Sequence, residues 1–342
     1  MPLAPGDGIT ADELQLAARN HGMPLEALRH TVTPVGLHYL LIHYDIPVVD
    51  PQAWRLHVGR RELTLDEIRA LPRVTAPVTM ECAGNGRAAL APRPISQPWL
   101  LEAVGNAEWT GTPLRPLLEG ATGVEVLFTG LDRGVENGIP QAYERALPLE
   151  DALKDDVLLA YELNGAPLPP QHGFPLRLLV PGWYGMTSVK WLSRIEVLDE
   201  PYTGYQNATA YRVRESEDDP GTPVTRIEPR ALMAPPGVPD FMTRRRFVEP
   251  GPTTLEGRAW SGHGPIERVE VSTDAGASWH EARLGDAHGW RAWSYAWEAP
   301  PGDHVLACRA FDATGRGQPD EPPWNLGGYA NNAVHRIAVT VG

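Results

Sequence analysis

A cysteine, a glycine-rich turn and an arginine stand together in ECAGNGR, Glu81 to Arg87. A lone thiol at the mouth of such a turn can serve as a metal ligand, as a nucleophile or as a small buried apolar group. Backbone N–H groups can converge on the turn and Arg87 can lie close, conditions that lower a thiol's pKa and favour thiolate. Residue chemistry alone leaves the inert and reactive readings of Cys82 level. Cys308 sits in the apolar run HVLACRAF and reads as a small buried hydrophobe. Neither cysteine belongs to a CxxC or zinc-spacing pattern, and two are too few for a disulfide framework.

Gly84, Gly86 and Ala89 fit a loose dinucleotide fingerprint, but no clean alternation of strand and helix follows them. The glycines read instead as letting the chain pass tightly around whatever Cys82 holds. STDAGASW, Ser272 to Trp279, matches a turn that sialidase propellers repeat in every blade, yet it occurs once here. A hairpin turn with Asp274 bonding to backbone and Trp279 beneath it accounts for the match. No GxSxG, HExxH, Walker or EF-hand motif is present, and the eleven histidines are scattered.

These residues need elements to position them. Thr10 and Glu13 have capping-box spacing and predict a helix over 10–19, with Leu14, Leu16 and Ala17 as candidate buried positions. Thr64 and Glu67 repeat the pattern before Ile68 and Leu71, and Pro72 stops that helix. Strand-like runs begin at 53, 123, 175 and 189, so the first two-thirds reads as α+β. The charged, proline-rich passage 212–238 reads as a junction, with a boundary near 225. Beyond it, short strand-like runs at near-regular spacing predict an immunoglobulin-like β-sandwich. The division is therefore 1–225 and 226–342.

A chain of 342 residues with a formal charge of −13 has no basic face for a nucleic-acid backbone. No run approaches the roughly 18 apolar residues that a bilayer span needs. The first twenty residues lack the charged start and apolar core of an export signal, and the expected location is the cytoplasm.

At ECAGNGR the sequence resembles the sulfite oxidase family of molybdenum enzymes. The likeness extends through LLAYELNGAPLPPQHGFPLRLLVPGWYGMTSVKWLSRIEV, Leu158 to Val197, and through AWSGHGPIERVEVSTDAGASW and WNLGGYANNAVHRIAV near the C-terminus. The resemblance implies a molybdopterin-binding catalytic domain followed by an immunoglobulin-like dimerisation domain, hence a homodimer. It implies that Cys82 is the protein's thiolate ligand to molybdenum, a soft ligand suited to a metal otherwise held by dithiolene sulfurs. It assigns His43, His172, Arg177 and Lys190 to the pterin cofactor, with Asp132 a further contact whose plain reading as a turn residue is nearly as good. Without the resemblance, Arg177 and Lys190 read as solvated charges on a strand.

The implied reaction is oxygen-atom transfer, sulfite to sulfate, with the electrons leaving singly. Here the chain departs from the family. An arginine usually precedes the early histidine, whereas Leu41 and Ile42 precede His43; an arginine usually follows WNL, whereas Gly327 stands there. Arg87 remains as an anion ligand, and Arg133, Arg145 or the segment GYQNATAYRVR can supply others. The family's active-site tyrosine matches Tyr211 better than Tyr205. Nitrate or another oxyanion is the competing substrate, and a dimeric non-catalytic scaffold is the competing class. No His-Pro-Gly-Gly or CxxCH haem motif occurs, so no haem is expected in this chain and electrons go to an external acceptor, for which a basic c-type cytochrome suits the acidic balance.

Overall fold

The computed structural model describes residues 8–342. The reading of the chain's start as no export signal falls partly on residues 1–7, outside the described residues. No helix among the described residues is long and apolar enough to cross a membrane.

Both capping boxes form. Thr10 Oγ1 accepts from Glu13 N and Glu13 answers Thr10 N, starting the helix Ala11–Arg19; Thr64 and Glu67 do the same for Leu65–Arg69. The first helix buries the predicted face only in part, with Leu16 and Ala17 half-buried. Leu14 is exposed, while Glu13 is buried against Arg93. An ion pair as well as an apolar face seats this helix.

Two sheets build the N-terminal part. One runs Arg61–Leu63, Leu56–Val58, Leu192–Leu198, Glu125–Glu136, Ile139–Pro148; the other runs Val74–Glu81, Val104–Pro113, Leu158–Leu163, Ala166–Pro167, with Arg177–Leu179 also pairing Leu158–Leu163. Their apolar faces enclose a core that includes Trp54, Phe128, Leu159, Leu178 and Ile195. The short helices leave this part mostly β. The glycine turn after Glu81 enters only a single 3-10 turn, Arg87–Ala89, and the neighbouring strand is antiparallel, so no dinucleotide unit exists.

The C-terminal part is a sandwich. A four-stranded sheet centred on Gly251–Trp260 and Trp290–Ala299 packs on a six-stranded sheet centred on His335–Val341 and Gly302–Asp312. Trp293, Val269, Leu306, Val339 and the fully buried Cys308 fill the space between. The turn at 272–279 behaves as predicted: Asp274 Oδ1 accepts from Ser278 N at 2.9 Å, and Trp279 packs against Gly276 of the turn, where an added Cβ would lie 3.6 Å from its ring.

The junction is not a free tether. Arg212–Val213 pairs with Thr222–Pro223, Tyr184 N donates to Thr225 O, and Ile227 N donates to Gly182 O. Tyr211, Val224 and Ile227 join Ala83, Trp260 and Trp290 in a core that draws on both parts. Burial of these apolar side chains ties the passage down despite its charge and proline content.

Candidate active site

The strand Val74–Glu81 delivers Cys82 to the rim of a cavity lined by His38, His43, Asp132, His172, Arg177 and Lys190 among others. The turn that follows is dictated by crowding. A Cβ on Gly84 would sit 2.6 Å from the Arg87 guanidinium, and Gly86 has φ +89° with Asn331 pressed against it. Arg87 thus folds back beside the thiol. Its Nε donates to Gly327 O at 2.7 Å and its guanidinium lies 5.1 Å from the Tyr329 ring centre.

The turn and Arg87 favour thiolate at Cys82, but burial opposes them. Burial pushes the Cys82 thiol up, outweighing the Arg87 charge and the Gly84 N–H that favour thiolate. The protein alone keeps this sulfur protonated, and a metal ion is the partner that would hold it as thiolate.

His43 and Tyr211 meet, 168 residues apart in sequence, with His43 Nε2 2.5 Å from the Tyr211 hydroxyl. Burial, with the Lys190 charge, drives the His43 pKa down to about 3, so the imidazole is neutral. Tyr211 is buried at the end of a π-helical turn, Gln206–Ala210, whereas Tyr205 lies partly exposed. Of the two candidate tyrosines the structure brings Tyr211 to the site.

Arg177 and Lys190 are not solvated strand charges. Arg177 is buried, donates to His172 O at 3.1 Å and Ser188 O at 3.0 Å, and stacks over Trp109. Lys190 precedes its strand and donates to Leu41 O at 2.7 Å and Gln171 O at 3.3 Å. Asp132 lies in a strand, buried, with Oδ1 lacking any hydrogen-bond partner. Burial raises the Asp132 pKa and lowers that of Lys190, each opposed by the other's charge. His172 falls to about 2, chiefly through burial and then the neighbouring His38 and Arg177.

The two substitute arginines separate cleanly. Arg133 is exposed, while Arg145 is buried, donates to Gln206 O at 2.5 Å and lies 5.5 Å from the Tyr211 ring centre. Tyr211 and Tyr329 are ring neighbours at 5.3 Å, so Arg145 and Arg87 flank a tyrosine pair. Arg87, Arg145 and Arg177 donate to carbonyl oxygens, which orient a guanidinium without neutralising it. Burying uncompensated cations is costly unless an anion completes the site.

Sequence reasoning missed His38, Tyr143 and Tyr329. His38 lines the cavity with Nε2 buried and unpartnered, edge-on to the His172 ring. Tyr143 stacks on His43, and Tyr329 fills the space that Gly327 leaves. Tyr329 lies two residues after Gly327 in the quoted C-terminal motif and His38 five residues before His43, so both stood near residues already singled out; Tyr143 carries no local signal.

The residues present suit a large anionic cofactor with many hydrogen-bonding edges. Unpartnered buried atoms on His38 and Asp132, cations on Arg177 and Lys190, and one soft sulfur line a single cavity. Among the described residues no three His, Cys, Asp or Glu side chains gather as a metal site, so a metal at Cys82 would take its other ligands from a cofactor.

Comparison with known proteins matches residues 43–206 to the oxidoreductase molybdopterin binding domain and residues 240–342 to the Mo-co oxidoreductase dimerisation domain. The chain is 35% identical to mitochondrial sulfite oxidase of Homo sapiens, over 91% of this chain and 62% of that one, so it spans about three-fifths of that relative's length. It is 33% identical to sulfite oxidase of Arabidopsis thaliana, over 91% of this chain and 88% of that one. Among solved structures it matches the sulfane dehydrogenase SoxCD from Paracoccus pantotrophus with a TM-score of 0.79 and 26% identity, over 94% of this chain and 86% of that one.

Proposed function

The chain belongs to the sulfite oxidase family of molybdopterin oxidoreductases, and from that premise we propose that it oxidises sulfite to sulfate and passes the electrons to a separate acceptor. The observation that carries the reading is a single thiol opening into a cavity lined by the cations Arg177 and Lys190, of which only Lys190 has a carboxylate, Asp132, beside it. Cys82 would ligate molybdenum, and His38, His172, Arg177, Lys190 and Asp132 would hold the pterin and its phosphate. Bound there, the cofactor supplies a centre for two-electron oxygen-atom transfer; overall, sulfite and water give sulfate, two protons and two electrons.

The chain's own groups bind and orient the substrate. The Arg87 and Arg145 guanidinium groups on either side of Tyr211 and Tyr329 attract a small oxyanion, and a charge-assisted hydrogen bond of this kind contributes roughly 1.5–3 kcal/mol. The Tyr211 hydroxyl sits on neutral His43 Nε2, a cavity-lining imidazole, and shares its proton with that nitrogen. Leu41 and Gly327 lend only backbone oxygens, to Lys190 and Arg87, so this anion site has a different set of cations from the family's usual one. That difference favours nitrate or another oxyanion as the alternative substrate. Against the scaffold reading stands the buried cationic lining itself, which a protein without ligand has no reason to maintain.

The test is molybdenum content and turnover of protein made in a host able to synthesise the cofactor. Near-stoichiometric metal with sulfite turnover is expected, and Cys82→Ser, which removes the ligand itself, should lose more than the roughly 10- to 100-fold that loss of an outer-shell partner costs. Metal with turnover of nitrate but not sulfite would transfer the assignment. The dimerisation domain supports a homodimer, which sedimentation velocity would show directly. A basic c-type cytochrome is the proposed acceptor; its reduction rate should fall steeply with ionic strength, and a rate indifferent to salt would exclude electrostatic steering.

A further inference from the structure

Glu81, the residue before Cys82, is fully buried, and its carboxylate is met from the sandwich. Oε1 pairs with Arg230 Nε at 2.7 Å and accepts from Asn85 Nδ2 at 3.0 Å; Oε2 accepts from Trp260 Nε1 at 2.7 Å. Arg230, equally buried, also donates through its second nitrogen to Asn331 O and reaches Asn85 O at 3.5 Å. Asn331 Nδ2 donates to Gly86 O at 2.6 Å, and Ala330 N donates to Ala83 O at 2.9 Å. Every residue of the turn from Ala83 to Gly86 except Gly84 is therefore bonded to a segment beyond residue 229.

Apolar contacts already join the two parts, through Ala83, Val104, Leu232, Trp260 and Trp290. An ion pair sealed from water is a poor adhesive, because desolvating both charges offsets most of their attraction. It acts instead as an orienting device, since each partner is costly to leave alone; the Arg230 Nε contact to Glu81 is an ion pair without a directed hydrogen bond, and the carboxylate's hydrogen bonds come from Asn85 and Trp260. This one lies on the turn that carries the thiol, and its anionic member is the thiol's chain neighbour.

We propose that Arg230 is a positioning residue for the Cys82 sulfur: it fixes the Glu81 carboxylate and the 83–86 turn, and it neutralises the negative charge closest in sequence to the metal ligand. The C-terminal sandwich is then part of the redox centre's supporting shell as well as a dimerisation module. Partners behind a metal ligand set its orientation and the electron density it presents. An unneutralised Glu81 beside the thiolate would stabilise the oxidised metal and lower its potential. The proposal rests on Cys82 being the metal ligand.

The experiment compares full-length wild type, Arg230→Gln, Arg230→Lys, Glu81→Gln and the double variant Glu81→Gln/Arg230→Gln. Each is read by molybdenum per chain, the metal's midpoint potential, and peptide-level hydrogen exchange over residues 79–90. Arg230→Gln should lower the potential and speed exchange in 79–90 while peptides from the sandwich strand Gly302–Asp312 keep wild-type protection. Arg230→Lys should recover part of the shift, and the double variant, which leaves no buried charge unpaired, should return the potential towards wild type. A lower melting temperature with unchanged potential and unchanged exchange at 79–90, or exchange that rises uniformly, would overturn the proposal. Should Arg230→Gln not fold, Arg230→Lys and the double variant carry the same comparison. Wild-type protein without molybdenum would sink the cofactor reading instead, and the exchange comparison would still decide whether Arg230 holds the turn.

Discussion

At the scale of the residue, the site is governed by the contest between burial and neighbouring charge. Cys82 has the turn and the arginine that ordinarily acidify a thiol, yet burial prevails and the sulfur stays protonated until something stronger than Arg87 binds it. Arg145 shows the same contest from the cationic side, its pKa lowered by burial and supported by Tyr143 and Tyr211. If Arg145 serves as the second anion ligand, Arg145→Gln should raise KM for sulfite about 10- to 100-fold, matching the loss of one charge-assisted hydrogen bond, with a smaller change in kcat. Arg133→Gln, on the exposed neighbour, should leave steady-state kinetics unchanged. Equal effects of the two substitutions would refute the role given to Arg145. From sequence both arginines stood level, because pleat and burial decide between them and neither is written in the residues around them.

At the scale of the element, the first helix shows how a local signal can be right about an element's start and only partly right about its face. Thr10 and Glu13 fix where Ala11–Arg19 begins, since capping depends only on spacing. Which side faces inward depends on Arg93, 80 residues away. The Arg93 hydrogen bond, then the Thr10 backbone and hydroxyl, hold the Glu13 carboxyl down from 4.5 to about 2 against the opposing effect of burial. A carboxyl whose pKa falls on folding stabilises fully above its unfolded value and loses that contribution as pH drops from about 4.5 to about 2. Glu13→Gln should therefore lower the melting temperature at pH 7, and the gap from wild type should close by pH 2. A gap independent of pH would mean that packing alone seats the helix. The junction repeats the lesson: composition marked 212–238 as a connection, while Tyr211, Val224 and Ile227 show it packed into the shared core.

At the scale of the whole molecule, four histidines share one behaviour. Burial lowers the pKa of His38 to about 4, of His43 to about 3, of His172 to about 2 and of His335 to about 3. Unfolded, each takes a proton near its ordinary value of 6.5, while the folded protein refuses it until far lower pH. Stability should thus fall progressively as pH drops below about 6.5, and the melting temperature should follow. A melting temperature level between pH 7 and pH 5 would contradict these buried neutral imidazoles. Replacing His335, which accepts from Met233 N deep in the sandwich and lies outside the cavity, by Gln should flatten part of that slope without touching turnover.

The sequence by itself determined whatever depends on local spacing or on extended runs of residue identity. It placed both capping boxes, the Asp274 turn and a sandwich after an α+β part, and its motifs pointed to the family and to Cys82, His43, His172, Arg177 and Lys190. The tertiary structure decided everything that turns on burial and on partners far apart in the chain. It set the direction of the Cys82 pKa, buried Arg145 and left Arg133 exposed, joined His43 to Tyr211, and brought Arg230 from the sandwich to Glu81. The reason is physical: spacing fixes what a residue can reach along its own element, whereas desolvation and charge pairing are properties of the place where elements meet.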